Sequence, residues 1–178
     1  MGKRWYIVVI VLLLASNGVT LGLLIPRLSG PAKLPDSGKE WEAFTLNGQS
    51  KYWQVEDFKI IRTASGIFRG NGSLRYIGDP DHFKPYDYFG YAFFERPGEG
   101  SPKPVLSYAE TSKGRSIDIP SAAWHISSIK GTVSDWELAE SQADLSRSHM
   151  EVSWKDNGGM LHQELIPMSV TEAYSSME

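Results

Sequence analysis

Apolar residues at every second position are the dominant pattern of this chain beyond about residue 40. The apolar runs are short and are separated by Gly, Pro, Asn and Asp, and only residues 136–146 have helical spacing. Because successive side chains of a strand point to opposite faces, this pattern favours strands over helices. The sequence therefore predicts an all-β domain. An antiparallel β-sandwich, Ig-like or similar, with about seven to nine strands fits the pattern better than a closed barrel.

A change of phase predicts a β-bulge in one of these strands. Trp53 and Val55 alternate at one parity, whereas Phe58 and Ile60 alternate at the other. One extra residue near Glu56 would bring all four apolar side chains to the same face of the sheet, which is the effect of a bulge.

Two further stretches have patterns of their own. Aromatic residues occupy both parities of residues 86–95, which predicts a central strand that is covered on both faces. Residues 136–146 have helical spacing, and Ser134 lies just before them. Glu137 follows Ser134 by three positions, as in a helix-capping box. We expect one or two turns of helix there.

The final hairpin is the element that the sequence defines best. Apolar residues alternate before and after Asn157-Gly158, the pair that is typical of a two-residue turn. Centring the turn on this pair places Leu161 on the apolar face, and it places Glu151 directly across from Glu164 on the other face. Two facing carboxylates repel and raise one pKa, so this pair is a candidate for general acid/base catalysis or cation binding. A water-facing hairpin surface is the alternative interpretation.

Two other sets of residues are candidates for ligand binding. Asp79, Asp81 and Asp87 could supply oxygen ligands to Ca²⁺, although they lack the spacing of an EF-hand loop and a solvated turn also explains them. Aromatic rings with flat apolar faces and polar edges could form a sugar-binding platform. These rings are Tyr86, Tyr88, Tyr91, Trp124 and Trp136. Packing in the core is the alternative interpretation of the rings.

The composition excludes several classes of site. The chain has no Cys, so it has no disulfides, thiolate zinc sites or thiol nucleophiles. Its formal net charge of −3 comes from interspersed residues of both signs, so nucleic acid is not an expected partner. No phosphate-binding glycine loop, dinucleotide fingerprint or Gly-x-Ser-x-Gly motif is present, and we expect no cofactor.

An uncharged segment, residues 5–25, precedes the β-rich part. As a helix it would span about 30 Å, which is the thickness of the hydrocarbon core of a bilayer. Lys3 and Arg4 before it predict a cytoplasmic N-terminus and an outward-facing domain. Polar residues in its second half leave a cleaved signal peptide, and hence a secreted domain, as the alternative. The predicted organisation is a cytoplasmic N-terminus (1–4), a transmembrane signal-anchor (5–25), a linker (26–39), an extracytoplasmic β-domain (40–168) and a flexible tail (169–178).

This organisation resembles that of small signal-anchored extracytoplasmic proteins of Gram-positive bacteria. The first functional hypothesis is a non-catalytic binding module of the cell envelope that contacts another envelope protein, a wall polymer or a small ligand. The second is an envelope hydrolase that uses acidic residues, with Glu151 and Glu164 or Asp79 and Asp81 as its pair. The third is a regulatory partner of a membrane complex that packs through small residues of the anchor.

We expect the full-length protein to fractionate with membranes and to stay there after carbonate extraction, because a spanning helix inserts almost irreversibly. Immunoblotting of the membrane and soluble fractions measures this. A version that lacks residues 2–25 serves as the control and is expected in the soluble fraction. A soluble product whose first residue lies beyond Ile25, identified by mass spectrometry, would contradict the anchor and favour the signal peptide.

Overall fold

The structure is a computed structural model that describes residues 40–79, 83, 86–96, 98, 100–117 and 124–176. The described residues form ten strands and two short helices, and the domain is all-β, as the alternation predicted. In chain order the elements are β1 (Trp41–Gln49), β2 (Trp53–Thr63), β3 (Gly66–Gly70), β4 (Ser73–Tyr76), β5 (Tyr86–Glu95), β6 (Lys103–Ser116), β7 (Trp124–His125), β8 (Ile129–Gly131), α1 (Asp135–Ala139), α2 (Gln142–Leu145), β9 (His149–Lys155) and β10 (Leu161–Ser175).

All ten described strands belong to one antiparallel sheet that is nearly closed into a barrel. The strand order is β6-β5-β9-β10-β1-β2-β3-β8, while β4 pairs with β2 and β7 pairs with β4. The long β10 makes the sheet continuous, because residues 161–167 pair with β9 and residues 168–175 pair with β1. The predicted sandwich of two separate sheets is therefore replaced by one sheet, since a single strand belongs to both halves.

The two halves of the sheet face each other across an aromatic core. The rings of Trp53 and Phe89 lie 5.8 Å apart, and those of Phe58 and Phe93 lie 4.3 Å apart. These contacts connect β2 with β5, which are not neighbours in the sheet, and all four side chains are fully buried. Burial of such a side chain contributes about 1.5–3 kcal/mol, so the facing rings are a main source of stability.

The predicted β-bulge is confirmed. The pairing register between β1 and β2 shifts between Leu46 and Gly48, and Asp57 opposite them has a φ of 58°. The four alternating apolar residues of β2 are all buried on one face as a result. The bulge also divides β2, because residues 53–56 pair with β4 and residues 59–63 pair with β3.

The strand β5 is central, as predicted, because it pairs with both β6 and β9. Phe89, Tyr91 and Phe93 are buried on its inner face. Tyr88 and Phe94 on its outer face are only half-buried. The aromatic pattern predicted that both faces of β5 are covered, but its outer face is covered only in part.

The predicted helical stretch forms two short helices. Ser134 and Glu137 make the capping box that the sequence indicated at the start of α1, and Ser141 and Asp144 make a second one at the start of α2. Between the helices Glu140 has an extended backbone, with φ −70° and ψ 122°. Glu140 therefore ends α1 after five residues.

The register of the final hairpin differs from the predicted one by one residue. The backbone N–H of Asp156 donates to the carbonyl of Met160 at 3.0 Å, and Gly159 between them has a φ of 79°. The turn therefore contains three residues, as in a type I turn followed by a left-handed residue, and not the predicted two. This difference turns every side chain in the first half of β10 to the other face.

The outcome for β10 is the reverse of the expected one. Leu161 and Leu165 are exposed on the outer face of the sheet. His162 and Glu164 point inward and are half-buried, next to the fully buried Ile166. The hydrophobic alternation alone predicted the wrong inward face for the first half of β10, because the length of the turn fixes the register of a hairpin.

The predicted flexible tail is wrong for residues 169–175, which continue β10 and pair with β1. At the end of this ladder the N–H of Ser176 donates to the carbonyl of Trp41 at 3.1 Å, and its Oγ accepts from the N–H of Glu40 at 2.7 Å. Most side chains of this segment are exposed, so main-chain hydrogen bonds hold it and no apolar pattern marks it.

Within the described part of the chain, no helix has the length and apolar character that a bilayer span requires. The cytoplasmic N-terminus, the signal-anchor and the linker, residues 1–39, lie outside the described residues. They remain predictions of the sequence.

Replacing Gly159 by Ala is expected to lower the free energy of unfolding by about 1–2 kcal/mol, because a side chain disfavours positive φ. The neighbouring Asn157→Ala, at a residue without positive φ, is the control and is expected to change it by less than about 0.5 kcal/mol. Urea denaturation measures both. If Asn157→Ala lowered the free energy of unfolding more than Gly159→Ala, the result would support the two-residue turn, in which Asn157 itself has positive φ.

Candidate functional site

The structure separates the two carboxylates that the sequence placed opposite each other. Glu151 lies across from Leu165 on the outer face, and its carboxylate accepts a hydrogen bond from the amide of Gln163 at 2.7 Å. Glu164 points inward and accepts a hydrogen bond from the backbone N–H of Tyr52 at 3.1 Å. The three-residue turn is the reason for the separation, and the two carboxylates do not form an acid/base pair.

The predicted aromatic platform is dispersed. Tyr88 is half-buried on the outer face of β5, whereas Tyr91 is buried on the inner face. Trp124 packs against rings of β5 and β6, and Trp136 lies with the ammonium of a β6 lysine 4.8 Å from its ring centroid. Tyr86 begins β5, and its side chain lies outside the described residues. Tyr88 and Tyr91 border one cavity together with Glu151, but Trp124 and Trp136 do not line it, so the four described rings do not form one platform.

The predicted Ca²⁺ ligands are described only in part. Asp79 follows β4, and Asp87 lies in β5 with its carboxylate 3.8 Å from the ammonium of Lys155. Asp81 is outside the described residues. No set of three or more His, Asp or Glu among the described residues could hold a metal ion.

One cleft combines several aromatic rings with ionisable groups, and we call it the aromatic cleft. Its lining residues are Tyr52, Tyr76, Asp79, Phe83, Trp154, Asp156 and His162. They come from the chain before β2, from the end of β4 and beyond, and from the β9–β10 hairpin, so both halves of the sheet contribute. Its volume of about 440 Å³ lies within the range of small-molecule sites.

The rings of the aromatic cleft contact one another in a series. Tyr76 stacks on Phe83 with centroids 4.2 Å apart, Phe83 meets Trp154 edge-on at 5.7 Å, and Trp154 stacks on His162 at 5.3 Å. The fully buried Trp53 lies behind them, with its ring 4.9–5.8 Å from the rings of Tyr76, Phe83 and Trp154. The exposed faces are therefore held in fixed positions by packing.

A carboxylate and an imidazole lie side by side at the hairpin end of the cleft. His162 Nε2 is 2.8 Å from Asp156 Oδ2, and Asp156 Oδ1 accepts from the N–H groups of Gly158 and Met160 at 2.9 Å each. The hydrogen bond to His162, followed by those of the two backbone N–H groups, lowers the pKa of Asp156. Asp156 is therefore ionised at neutral pH, closes the turn and orients the imidazole.

Two acidic side chains, Asp79 and Glu164, lie near Tyr76 at the other end of the cleft. Burial raises the pKa of Tyr76, and the nearby Tyr52, Asp79 and Glu164 raise it further. Lys51 also lies at this edge, with its Nζ 4.6 Å from the ring centroid of Tyr52. A ring face at the edge of the cleft thus already contacts an ammonium group.

A second cavity, of about 260 Å³, lies beside the short helices and next to the buried Arg62. The guanidinium donates to the carbonyls of Glu137 and Glu140 at the end of α1, and its Nη2 is 3.4 Å from Glu42 Oε2. Carbonyls at a helix end have no partner within the helix, so Arg62 caps α1. This cavity is lined by groups that attach α1 to the sheet.

A buried ion-pair network holds the other side of α1. Arg69 Nε and Nη2 donate to the two carboxylate oxygens of Glu95 at 2.6 Å each, and Arg69 also pairs with Glu137. Burial opposes ionisation of Glu137, but hydrogen bonds from Ser134 and the pairing with Arg69 give it a pKa below its usual value. The network connects β3, β5 and α1.

Glu140 is the one described acid whose pKa is strongly raised. It is 5% exposed, and both of its carboxylate oxygens lack a hydrogen-bond partner among the described residues. Burial, followed by the negative charge of Glu95, raises its pKa to about 8. Perturbed acids often mark catalytic sites, but these two oxygens are buried and have almost no contact with solvent.

Most residues of the aromatic cleft were missed by the sequence reasoning, which named only Asp79. The signal that would have found Trp154 and His162 is the doublet Gly158-Gly159. A second glycine after the Asn-Gly pair provides the left-handed residue of a three-residue turn, and this turn places Trp154 directly opposite His162. Tyr52 and Tyr76 carry no such signal, since they meet the hairpin only through the curvature of the sheet.

Comparison with known proteins does not identify a family. No family model and no curated protein matches the chain. One solved structure is similar over 83% of this chain and 34% of its own: a catalytically inactive OgpA from Akkermansia muciniphila in complex with an O-glycopeptide substrate, glycodrosocin. The sequence identity is 8% and the TM-score is 0.23, so this similarity supports no conclusion about fold or function.

The raised pKa of Glu140 predicts that stability depends on pH. The folded state keeps the proton up to about pH 8, whereas the unfolded state loses it near 4.5, so the free energy of unfolding falls as pH rises between these values. The slope approaches about 1.4 kcal/mol per pH unit.

Glu140→Gln is expected to remove this part of the slope, which urea denaturation at a series of pH values measures. Glu40→Gln, at an exposed position, is the control and is expected to keep the slope of the original protein. An unchanged slope in Glu140→Gln would contradict the assignment.

Proposed function

We propose that this protein is a non-catalytic binding module whose aromatic cleft takes a small ligand or the end of a polymer. The observation that carries the proposal is the set of four aromatic side chains, Tyr52, Tyr76, Phe83 and Trp154, around one cavity of about 440 Å³. Ligand sites are typically concave, mostly apolar and equipped with a few polar groups, and this cleft has each of these properties.

The fixed geometry of the rings supports binding over catalysis. Trp53 holds three of them from behind, and Asp156 orients His162, so a ligand would meet surfaces that need little rearrangement. The hydrolase hypothesis loses its best pair, because Glu151 and Glu164 lie on opposite faces of the sheet.

For the cellular location of the module we keep the prediction made from the sequence. We propose that residues 5–25 anchor it in the cell membrane, with the β-domain on the extracytoplasmic side, or that it is secreted after cleavage. An envelope protein or a wall polymer is then the natural partner, and a neighbouring membrane complex is the alternative.

We expect a screen of small flat fragments by ligand-observed NMR to give hits whose binding depends on Trp154. Trp154→Leu keeps an apolar side chain but removes the ring face, which is worth about 0.5–1.5 kcal/mol, so hits should weaken up to about tenfold. Trp136→Leu, on α1, is the matched control and should retain the hits.

Circular dichroism confirms that both variants are folded, so that a loss of binding reports on the cleft. Hits that bind equally to both variants would mean that the aromatic cleft is not the site. The same conclusion follows if the unaltered protein gives no hits.

A further inference from the structure

A third cavity, of about 220 Å³, lies on the outer face of the sheet, and we call it the outer cavity. Its described lining comes from the neighbouring strands β5, β6 and β9, and it shares no described residue with the aromatic cleft. Small residues make the depression, because Ala92 lies across from Ser107 and Gly90 lies across from Ala109. The volume is below the range of about 300–1,000 Å³ that is typical of drug-sized ligands, so the outer cavity has room for one ring-sized unit.

The side chain of Tyr88 borders the outer cavity and lies along the surface of the sheet. A Cβ atom on Gly90 would be 3.0 Å from the Tyr88 hydroxyl, and this hydroxyl is 3.3 Å from Ser153 Oγ. Residues two positions apart in a strand are separated by about 6.6 Å, so the tyrosine extends over Gly90 and does not stand upright from the sheet. Tyr88 is only half-buried, so part of its ring is accessible to a ligand.

The other groups around the outer cavity are suited to hydrogen bonding with hydroxyl groups. Glu151 and Ser153 line it from β9, and Ser107 lines it from β6. The Glu151 carboxylate accepts from the amide of Gln163 at 2.7 Å, and a carboxylate has about four acceptor sites, so it can accept further bonds. A serine hydroxyl both donates and accepts. Among the described lining residues Glu151 carries the formal charge, so an anionic ligand would be repelled.

We propose that the outer cavity binds one ring of a neutral saccharide, whose C–H face contacts the ring of Tyr88 while its hydroxyl groups bond to Glu151 and Ser107. A flat aromatic ligand would use the tyrosine ring but would leave the polar groups of the cavity without partners, which costs binding energy. An open-chain polyol would bond to the polar groups but has no rigid face for the ring. A pyranose ring has an apolar C–H face and hydroxyl groups at its rim, so it uses both.

The test uses full-length protein in a polyoxyethylene detergent, which contains no sugar. The probes are four neutral trisaccharides, namely maltotriose, cellotriose, mannotriose and N-acetylated chitotriose, and binding is followed by saturation-transfer NMR of each probe. We expect at least one trisaccharide to bind. Sorbitol has the hydroxyl groups of a hexose but no ring, and we expect it to bind at least about tenfold more weakly.

Variants locate the binding site. Tyr88→Leu removes the ring face and is expected to weaken trisaccharide binding up to about tenfold, whereas Tyr88→Phe keeps the ring and should stay within about threefold of the original protein. Glu151→Gln replaces a charged acceptor by a weaker neutral one and is expected to weaken binding about threefold or more. Tyr174→Leu, at an exposed tyrosine in the second half of β10, is the matched control, and Trp154→Leu tests the aromatic cleft. Both should retain trisaccharide binding.

The outcomes separate this inference from the proposed function, because the two sites share no described lining residue. Absence of binding by all four trisaccharides overturns the inference, and so does sorbitol binding of equal strength. Trisaccharide binding that Trp154→Leu weakens and Tyr88→Leu does not also overturns it, but supports the aromatic cleft as a site. Circular dichroism checks the fold of each variant. If Tyr88→Leu does not fold, Glu151→Gln decides against the exposed control Glu40→Gln, and equal binding by these two variants overturns the inference.

Discussion

The three-residue turn between β9 and β10 is the constraint on which the described structure depends most. Asp156 closes it through a backbone bond to Met160 and through side-chain bonds to the N–H groups of the turn. A turn shorter by one residue would exchange the two faces of the first half of β10, so that Leu161 would point inward and His162 and Glu164 outward. The charge and the imidazole of the aromatic cleft are therefore consequences of backbone geometry.

Features that depend on neighbouring residues could be predicted from the sequence. The bulge around Asp57 and the capping box of Ser134 and Glu137 follow from side chains within a few positions of one another. Of the aromatic cleft, only the pair Trp154 and His162 had a signal in the sequence, the doublet Gly158-Gly159. The rest could not be predicted, because it depends on contacts between segments far apart in the chain. The exposed second half of β10 was missed for a related reason, since main-chain hydrogen bonds leave no pattern of side chains.

Buried charges explain why the very short helix α1 is stable at the side of the sheet. Helix α1 has five residues, too few to be stable alone, and Arg69 pairs with Glu137 while Arg62 caps its last carbonyls. Removing one partner of a buried ion pair typically costs about 3–5 kcal/mol, because the other charge is left uncompensated. In the sequence such residues resemble surface charges, since Arg69, Glu95 and Glu137 belong to three separate elements.

The pairing of β1 with the second half of β10 has a consequence for how the domain acquires its structure. Glu40 and Ser176, which share a hydrogen bond beside this ladder, are 136 residues apart in sequence. Contacts between the two ends of a chain form slowly, because the loop between them must first lose its conformational freedom. The strand β1 has β2 as a neighbour early, but its other edge stays open until residues 168–175 are available. During synthesis the domain therefore exposes an unpaired strand edge until its final strand arrives.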